Sequence, residues 1–189
     1  MVTGNLRLSI LITTGSRYQQ FLLNRCCGCM VREMLNDDSQ RVLEIYRMGL
    51  ETRNSTFETR VPSWQEWNTK HITHSRFVSE VNGLVAGWAA LTPFSSREAY
   101  KGVAEVSIYV ATDYRGMKIG SELMEHLVAS SESNGIWTLF SSVFPENEAT
   151  LRLHEKFGFR VIGRREKIAM LDGLWRDTIL LERRSSRFH

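Results

Sequence analysis

Residues 105–127 read EVSIYVATDYRGMKIGSELMEHL, and this stretch decides the fold of the chain. It begins with β-branched and aromatic residues, passes through a short polar turn, and continues with leucine and methionine at helical spacing. That pattern predicts a strand, a tight loop and a helix in immediate succession. The unpaired N–H groups and the dipole of a helix N-terminus hold an anion, and Arg115 adds a fixed positive charge. The stretch therefore predicts a pyrophosphate site.

The loop between this strand and this helix fits neither of two common nucleotide-binding loops. A dinucleotide fingerprint needs glycines spaced GxGxxG, and a triphosphate loop needs Gly-Lys followed by Ser or Thr. The loop here reads RGMKIG, with Lys118 between its two glycines. Its ligand belongs to another class of phosphate compound.

The segments before this stretch predict strands and helices in turn. A first strand starts at Met30, and an amphipathic helix follows and ends near Thr52. The capping-box sequence Ser63-Trp64-Gln65-Glu66 starts a short helix. The pair Asn82-Gly83 predicts a hairpin between strands at 76–81 and 84–91.

The segments after this stretch continue the alternation. Asn134-Gly135 ends the helix, a strand follows at 136–143, and Asn147 caps a helix that ends at Gly158. Two last strands cover 159–170 and 175–182, and the remaining tail is expected to fray. The predicted fold is α/β, with a mixed, mostly antiparallel sheet of about seven strands and helices on both faces.

Length and composition predict one globular domain. The chain has 189 residues, of which 42% are hydrophobic, and a formal charge of +3. The three arginines of residues 1–29 account for that charge, so the remainder is balanced, which argues against nucleic acid as the main partner. No apolar run approaches the roughly 20 residues of a membrane helix, so no membrane partner is expected.

The N-terminal residues do not fit the domain pattern. All three cysteines, Cys26, Cys27 and Cys29, lie there in one cluster, and without nearby histidines they do not predict a metal site. The apolar segment before them is too short for a secretory signal and lacks a cleavage site. We interpret Met30 as the natural start, residues 1–29 as an upstream extension or disordered tail, and residues 30–189 as the domain.

Two segments of the chain resemble the GNAT superfamily of N-acetyltransferases. RGMKIG is similar to its acyl-CoA pyrophosphate loop, Gln/Arg-x-x-Gly-x-Gly/Ala, with Arg115 and Gly120 matching and Lys118 in place of the first glycine. NEATLRLHEKFGF, residues 147–159, resembles Asn-x-x-Ala/Ser-x-x-x-Tyr-x-x-x-Gly-Phe, with His154 where many members have tyrosine. Histidine at that position resembles the phosphinothricin and methionine-sulfone type of amino-acid N-acetyltransferase. The resemblance covers residues 30–184.

The resemblance implies acetyl-CoA as co-substrate and places it on three parts of the chain. The pyrophosphate is expected on Arg115, Gly116, Met117, Lys118, Ile119, Gly120 and Ser121. The pantetheine arm is expected between two diverging strands, against the main chain of Ile108, Tyr109 and Val110. Asn147 is expected to contact the CoA arm or the bound acetyl-CoA, although a helix cap alone would also explain this residue.

Transfer of acetyl to an amine needs a base for the ammonium and a group that stabilises or protonates the departing thiolate. Strand periodicity puts Glu105, Ser107 and Tyr109 on one face, and we predict Glu105 as the base. The alternative is a solvated residue at a strand end. His154 is the second candidate, either as base or as the acid for the thiolate, and a structural histidine is its alternative.

The acceptor end is expected in two loops, by the same resemblance. One loop contributes Phe57 and Glu58, and the other contributes Phe94, Ser95, Ser96 and Arg97. Arg97 would pair with a carboxylate of the acceptor or remain a solvated loop arginine. Trp175 is expected to pack under the site or at a dimer contact.

The resulting hypothesis is a cytoplasmic, homodimeric enzyme that acetylates the α-amine of a small amino acid or analogue. Direct transfer in a ternary complex is expected, since residues 30–189 contain no cysteine that could carry an acyl group. One alternative changes the acceptor to a polyamine or a protein N-terminus. The other is a non-catalytic acyl-CoA-binding domain, which Lys118 in the loop suggests.

Overall fold

The computed structural model describes residues 29–188, and these form a seven-stranded sheet with four α-helices. The strands are β1 (Cys29–Glu33), β2 (Phe77–Val81), β3 (Leu84–Pro93), β4 (Val103–Val110), β5 (Thr138–Val143), β6 (Arg160–Leu171) and β7 (Leu174–Arg184). The helices are α1 (Ser39–Glu51), α2 (Trp64–Lys70), α3 (Ile119–Ser133) and α4 (Glu148–Lys156). The interpretation of residues 1–29 lies outside the described residues, except that Cys29 is the first residue of β1.

The sheet has the strand order β1-β2-β3-β4-β5-β7-β6. Only β4 and β5 pair in parallel among these strands, and every other neighbouring pair is antiparallel. The prediction of a mixed, mostly antiparallel sheet is therefore confirmed. The strand of the opening stretch, β4, is also the central strand.

The turn and the helix cap that the sequence predicts both form in the structure. Asn82 and Gly83 have φ of 52° and 80°, the left-handed values that a type I′ hairpin requires. At the start of α2, the Glu66 N–H donates to Ser63 Oγ at 3.2 Å, and the Ser63 N–H donates back to Glu66 Oε2 at 2.7 Å. Both predicted elements are confirmed.

Helices cover both faces of the sheet. On one face α3 packs Leu123, Met124 and Leu127, all fully buried, into a core that includes Val106 of β4. On the other face α1 and α2 form a second core with the sheet, and this core contains Trp67 of α2, which is fully buried. The two-sided arrangement agrees with the predicted α/β class.

The side chains of β4 alternate between these two cores. Val106, Ile108 and Val110 belong to the α3 side, whereas Tyr109 belongs to the α1 and α2 side. Glu105 is four residues before Tyr109, so it shares that second face, as its spacing in the sequence predicted.

The sheet divides at Glu105. β4 and β5 pair only from Val103 with Thr138 to Glu105 with Phe140. Beyond this point β4 remains paired with β3, and β5 remains paired with β7 up to Val143. A gap therefore opens in the middle of the sheet, and the predicted divergence of these strands is confirmed.

The C-terminal residues are ordered, and the expectation of a frayed tail is wrong for residues 183–188. Arg183 belongs to β7 and donates to the Phe157 carbonyl and to Glu132 Oε1. Ser185 is buried, and its N–H donates to the Trp137 carbonyl at 2.9 Å. These tertiary contacts hold the segment, and no local pattern predicts them.

Candidate active site

A cavity of about 730 Å³ lies where β4 and β5 separate, and both predicted catalytic residues line it. Glu105 approaches from the α1 and α2 face of the sheet. His154 of α4 contacts Phe159, which belongs to the core on the α3 face, at 4.6 Å between ring centroids. The cavity therefore reaches both faces through the gap. Other predicted residues that line it are Phe57, Glu58, Ile108, Tyr109 and Asn147.

Glu105 is half-buried at the last position where β4 and β5 pair. Burial raises the pKa of its carboxyl group, and the positive charges of Lys70 and Arg165 partly oppose that effect. No hydrogen bond to this carboxylate is formed by any residue in the described range. A carboxylate with a raised pKa and free oxygens is suited to accept a proton from an ammonium.

His154 is buried and is held in one tautomer by its own helix. Nδ1 lies 2.8 Å from the Thr150 carbonyl oxygen, which can only accept, so Nδ1 carries the proton and donates it. In the neutral ring Nε2 then carries a lone pair. Burial lowers the pKa of His154, although the bond to Thr150 partly opposes this, and the ring is therefore neutral near pH 7.

Unpartnered polar atoms concentrate in this cavity. Within residues 29–188, four buried side-chain nitrogen or oxygen atoms have no hydrogen-bond partner: Trp67 Nε1, Trp88 Nε1, His154 Nε2 and Thr178 Oγ1. All four residues line the cavity. Since buried polar groups in proteins are normally paired, these four atoms are candidates for hydrogen bonds to a bound ligand or water.

The edge of β4 that faces the gap presents main-chain groups to a ligand. The Ala111 N–H donates to the Ala86 carbonyl of β3 at 2.8 Å. Because bonded positions alternate along an antiparallel pair, the main-chain groups of Ile108 and Val110 point away from β3, toward the gap. Those of Tyr109 point toward β3. The predicted backbone contact is thus available at Ile108 and Val110.

Tyr109 has a packing role through its ring. The ring stacks on Trp88 with centroids 4.8 Å apart and lies against the Gly49 main chain of α1. A Cβ at Gly49 would be 2.5 Å from a ring carbon, so only glycine fits there. The aromatic pair forms the floor of the cavity on this face.

The predicted pyrophosphate loop, Arg115 to Ser121, leads into α3; it is exposed from Arg115 to Lys118, and Ile119 is buried. Lys118 precedes the helix with φ of 63°, and its carbonyl accepts from the N–H groups of Ser121 and Glu122. The N–H groups of Ile119 and Gly120 have no acceptor among the residues that the structure describes. A Cβ at Gly120 would be 3.5 Å from the Leu153 side chain, which is an ordinary packing distance.

Lysine 156 adds a further cation next to this loop, and sequence reasoning missed it. Lys156 Nζ of α4 donates to Ser121 Oγ at 3.3 Å. The start of α3 is thus close to a basic group from a second helix. The fit to a phosphate group rests on the two open amides and on the cations Arg115, Lys118 and Lys156.

Asn147 uses both groups of its side chain within the protein. Its Oδ1 accepts from the Thr150 N–H at 3.3 Å, which caps α4, and its Nδ2 donates to the Asn54 carbonyl at 2.9 Å. The second bond ties α4 to the loop that carries Phe57, whose ring contacts Phe144 at 4.8 Å. The cap predicted from the sequence is confirmed, while the contact to CoA stays a prediction.

The two loops predicted for the acceptor differ in position. Phe57 and Glu58 line the cavity, whereas Phe94, Ser95, Ser96 and Arg97 do not. Phe94 packs on Phe140 at 5.5 Å, and Arg97 is exposed before a 3-10 turn at Glu98–Tyr100. The cations that line the cavity are Arg60, Lys70 and Arg165, and the sequence contains no local signal for them.

Trp175 does not pack under the site. It lies near the β6–β7 turn and is 58% exposed. Its position at a hairpin tip, beyond the cores, explains why the expectation of packing under the site is wrong.

The described part of the chain forms neither a cluster of metal-ligating side chains nor a membrane-spanning helix. Residues 29–188 contain no group of three or more His, Cys, Asp or Glu side chains arranged to hold a metal ion. None of the helices in that range is both long enough and apolar enough to span a bilayer.

The sheet divides beside its central strand, and two amides are open at the start of the next helix. The sequence model described as the acetyltransferase (GNAT) family matches residues 30–159. The chain belongs to this family, and the resemblance seen in its motifs is confirmed.

Relatives within the family are named for small amino-acid acceptors. The chain is 30% identical over 151 residues to the phosphinothricin N-acetyltransferase of Streptomyces viridochromogenes, covering 78% of this chain and 82% of that protein. It is 27% identical over 104 residues to the L-methionine sulfoximine/L-methionine sulfone acetyltransferase of Pseudomonas aeruginosa, covering 55% and 60%. A Sinorhizobium meliloti phosphinothricin acetyltransferase, solved in complex with acetyl-CoA, superposes with a TM-score of 0.77 at 27% identity, covering 83% of this chain and 88% of that one.

Proposed function

We propose that this enzyme transfers the acetyl group of acetyl-CoA to the primary α-amine of a small amino acid or analogue, such as phosphinothricin or methionine sulfone. The observation that carries the proposal is the cavity at the β4–β5 gap, which Glu105 and the unpartnered Nε2 of His154 both line. The names of the two relatives support the choice of acceptor. Transfer is direct, within a complex that holds both substrates.

The donor lies along β4 and the start of α3. The open amides of Ile119 and Gly120 hold the pyrophosphate, and Arg115 and Lys118 add charge. The main-chain groups of Ile108 and Val110 bond the pantetheine arm, which replaces β5 as a partner at this edge of the strand. This geometry brings the thioester to the position where the two strands separate, beside Glu105.

Glu105 acts as the general base. It takes one proton from the acceptor's ammonium, and the freed amine lone pair attacks the thioester carbonyl carbon. The C–S bond breaks, the electron pair leaves with the CoA sulfur, and the new C–N bond remains in the amide product. The second proton of the original ammonium leaves the nitrogen when the tetrahedral intermediate collapses and neutralises the thiolate.

His154 accepts a hydrogen bond at Nε2 in this scheme. A neutral ring whose Nδ1 proton is donated to Thr150 has no proton to give from Nε2. The sequence left two roles open for His154, base or acid for the thiolate. Near pH 7 the neutral ring favours a role as hydrogen-bond acceptor or base and disfavours a role as acid.

Thiol release from acetyl-CoA, measured over a panel of amines, tests the proposal. The panel contains phosphinothricin, methionine sulfone, the natural amino acids, spermidine and a peptide with a free N-terminus. We expect turnover with one of the amino acids or analogues. Turnover with spermidine or the peptide alone would assign the alternative acceptors, and acetyl-CoA binding without any turnover would indicate a non-catalytic domain.

We also propose a homodimer that assembles through the β6–β7 hairpin, and a location in the cytoplasm, where acetyl-CoA is supplied. Six of the twelve exposed large hydrophobic residues of the described chain lie on this hairpin. They are Val161, Ile162, Ile168, Met170, Leu174 and Trp175. Their concentration on an edge of the sheet supports an apolar contact between two copies, because such patches on monomers mark interaction sites.

A further inference from the structure

The β6–β7 wall of the cavity carries a cation and a hydroxyl that the proposed reaction does not use. We propose that Arg165 and Thr178 form the subsite that holds an oxyanion group of the acceptor while its ammonium faces Glu105. The inference rests on the proposed function and deepens it, because it identifies residues that select amines bearing a carboxylate or phosphinate. From the sequence, Arg97 was a candidate for this task, with a solvated loop arginine as the alternative.

The strand register places these residues on the face that carries Glu105. Arg165 lies directly opposite Thr178, so the two side chains are neighbours on one face. Glu105 pairs with Phe140, which pairs with Glu182 of β7. Thr178 precedes Glu182 by four residues, an even number, and therefore shares the face of Glu105.

A bulge in β6 begins directly after Arg165, which lines the cavity. The β6–β7 register shifts between Arg165 and Ala169, and Lys167 within this segment has φ of 47°. Asp177 braces the segment, since its Oδ1 accepts from the Lys167 N–H at 2.8 Å and its Oδ2 accepts from Arg164 Nε at 2.8 Å. Bulges bend a strand and redirect side chains, and here both Arg165 and Ala169 line the cavity.

The two groups are available to a ligand. Thr178 is only 3% exposed, yet its Oγ1 has no hydrogen-bond partner in residues 29–188. Arg165 forms no hydrogen bond or ion pair within that range, whereas Lys70, another cation that acts on Glu105, already lies 3.4 Å from Glu58. A guanidinium beside a hydroxyl donor suits a carboxylate or phosphinate, which only accepts.

Charge supports the same orientation of the acceptor. Burial raises the pKa of the Glu105 carboxyl group, and the positive charges of Lys70 and Arg165 oppose that effect in part. A zwitterionic acceptor between Glu105 and Arg165 presents its ammonium to the carboxylate and its oxyanion to the guanidinium. An amine without an oxyanion leaves the buried Thr178 hydroxyl without a partner, which disfavours it.

Steady-state kinetics of Arg165→Gln and Thr178→Val test the subsite, with acetyl-CoA saturating. The acceptors are methionine sulfone, its methyl ester and phosphinothricin, and Arg160→Gln is the control because Arg160 is an exposed arginine of the same strand that pairs with Glu182. We expect Arg165→Gln to raise KM for the oxyanion acceptors roughly 10- to 100-fold, and Thr178→Val to raise it by about 3- to 10-fold. KM for acetyl-CoA and for the methyl ester stays unchanged.

The acceptors separate two sources of the oxyanion. A rise in KM for both methionine sulfone and phosphinothricin assigns the α-carboxylate, and a rise for phosphinothricin alone assigns its phosphinate. Equal effects on the ester and on both oxyanion acceptors would overturn the proposal, and so would a selective loss in Arg97→Gln with none in Arg165→Gln.

Binding distinguishes failure of this inference from failure of the proposed function. Phosphinothricin is titrated into the complex of the enzyme with CoA, and binding is followed by tryptophan fluorescence, because Trp67 and Trp88 line the cavity. If the enzyme turns over no amine, binding that is weaker in Arg165→Gln than in Arg160→Gln still supports the subsite. Equal affinities, or no binding to the wild-type chain, would overturn it.

Discussion

Glu105 combines two properties at one residue. It is the last residue of β4 that pairs with β5, so the gap begins beside its carboxylate. The protein around it removes water and raises the pKa of the carboxyl group, which makes the carboxylate a stronger base. The same burial means that ionised Glu105 lowers the stability of the fold.

We expect Glu105→Gln to lower kcat by about 10² or more while the affinity for acetyl-CoA remains unchanged. It should also raise the melting temperature at pH 8. Because the folded pKa of Glu105 is above the unfolded value of about 4.3, the native state disfavours the ionised group above that pH, and glutamine carries no charge. Kinetics, calorimetry and thermal unfolding at several pH values measure these effects.

Glu98→Gln is the control, since Glu98 is an exposed carboxylate outside the cavity that pairs with Lys101. It should leave turnover unchanged. Unaltered turnover in Glu105→Gln would contradict the assignment of the base. A gain in stability that persists undiminished below pH 4 would contradict the electrostatic explanation.

His71 provides a pH dependence of stability that is independent of catalysis. Its ring stacks on Trp67 at 4.0 Å, and Nδ1 lies 2.7 Å from the Trp67 carbonyl. Burial, as the largest effect, lowers the pKa of His71 to about 4. The unfolded chain binds a proton near pH 6.5 and the native state does not, so native stability is lost as pH falls from about 6.5 to 4.

We expect the free energy of unfolding to decrease by about 3 kcal/mol across this range because of His71, and His71→Asn should remove that part of the slope. Urea unfolding between pH 8 and pH 4 measures it, with the values at pH 8 as the baseline for each protein. Asparagine retains a donor for the Trp67 carbonyl. Identical slopes in the wild-type chain and the variant would show that His71 is not the titrating group.

At the scale of elements, the connection from β4 to α3 places a lysine in a left-handed backbone conformation that favours glycine. Lys118 has φ of 63°, a conformation in which an L-residue is strained by roughly 1–2 kcal/mol and glycine is not. This explains physically why the resembling loop motif has glycine at that position. The chain accepts the strain and gains a cation at the start of α3.

We expect Lys118→Gly to raise the free energy of unfolding by about 1 kcal/mol, since glycine removes the strain. Loss of the charge should weaken acetyl-CoA binding, more at low than at high salt. Lys118→Ala is the matched control, because it removes the same charge and keeps a Cβ at positive φ. Thermal unfolding and calorimetric titration separate the two effects; equal stabilities of the glycine and alanine variants would contradict the strain argument.

At the scale of the whole molecule, the sheet has two different edges. β1 forms one edge, and β6, with the apolar hairpin, forms the other. Exposed strand edges promote pairing with another chain, and the hairpin adds large hydrophobic side chains beside one of them. The proposed assembly surface and the bulge beside the proposed oxyanion subsite therefore belong to one hairpin.

We expect Leu174→Glu, at a residue that is 68% exposed on β7, to convert the dimer to a monomer. A charge in an apolar contact is desolvated without a partner, which disfavours association. Leu84→Glu, at a residue that is 61% exposed at the β2–β3 turn, is the control and should leave the dimer intact. Light scattering after gel filtration measures the mass; a monomeric wild-type chain, or dissociation by both variants, would refute this surface.

The sequence by itself determined the local elements of this protein and their order. The strand, loop and helix of residues 105–127, the Asn82-Gly83 turn and the capping box from Ser63 to Glu66 all fold as predicted. Each depends on neighbours in the chain, through backbone sterics, turn geometry or side chains that bond the nearest amides. The alternation that put Glu105 and Tyr109 on one face has the same origin.

Only the tertiary structure decided which of these elements share a cavity and what their environment does to them. Arg165 and Thr178 meet on the face of Glu105 because the order of β5, β7 and β6, and a bulge, bring distant segments together. The exposed position of Arg97 and the lowered pKa of His71 likewise depend on packing between segments far apart in sequence. Register, burial and charge proximity are properties of the folded sheet, and no local pattern encodes them.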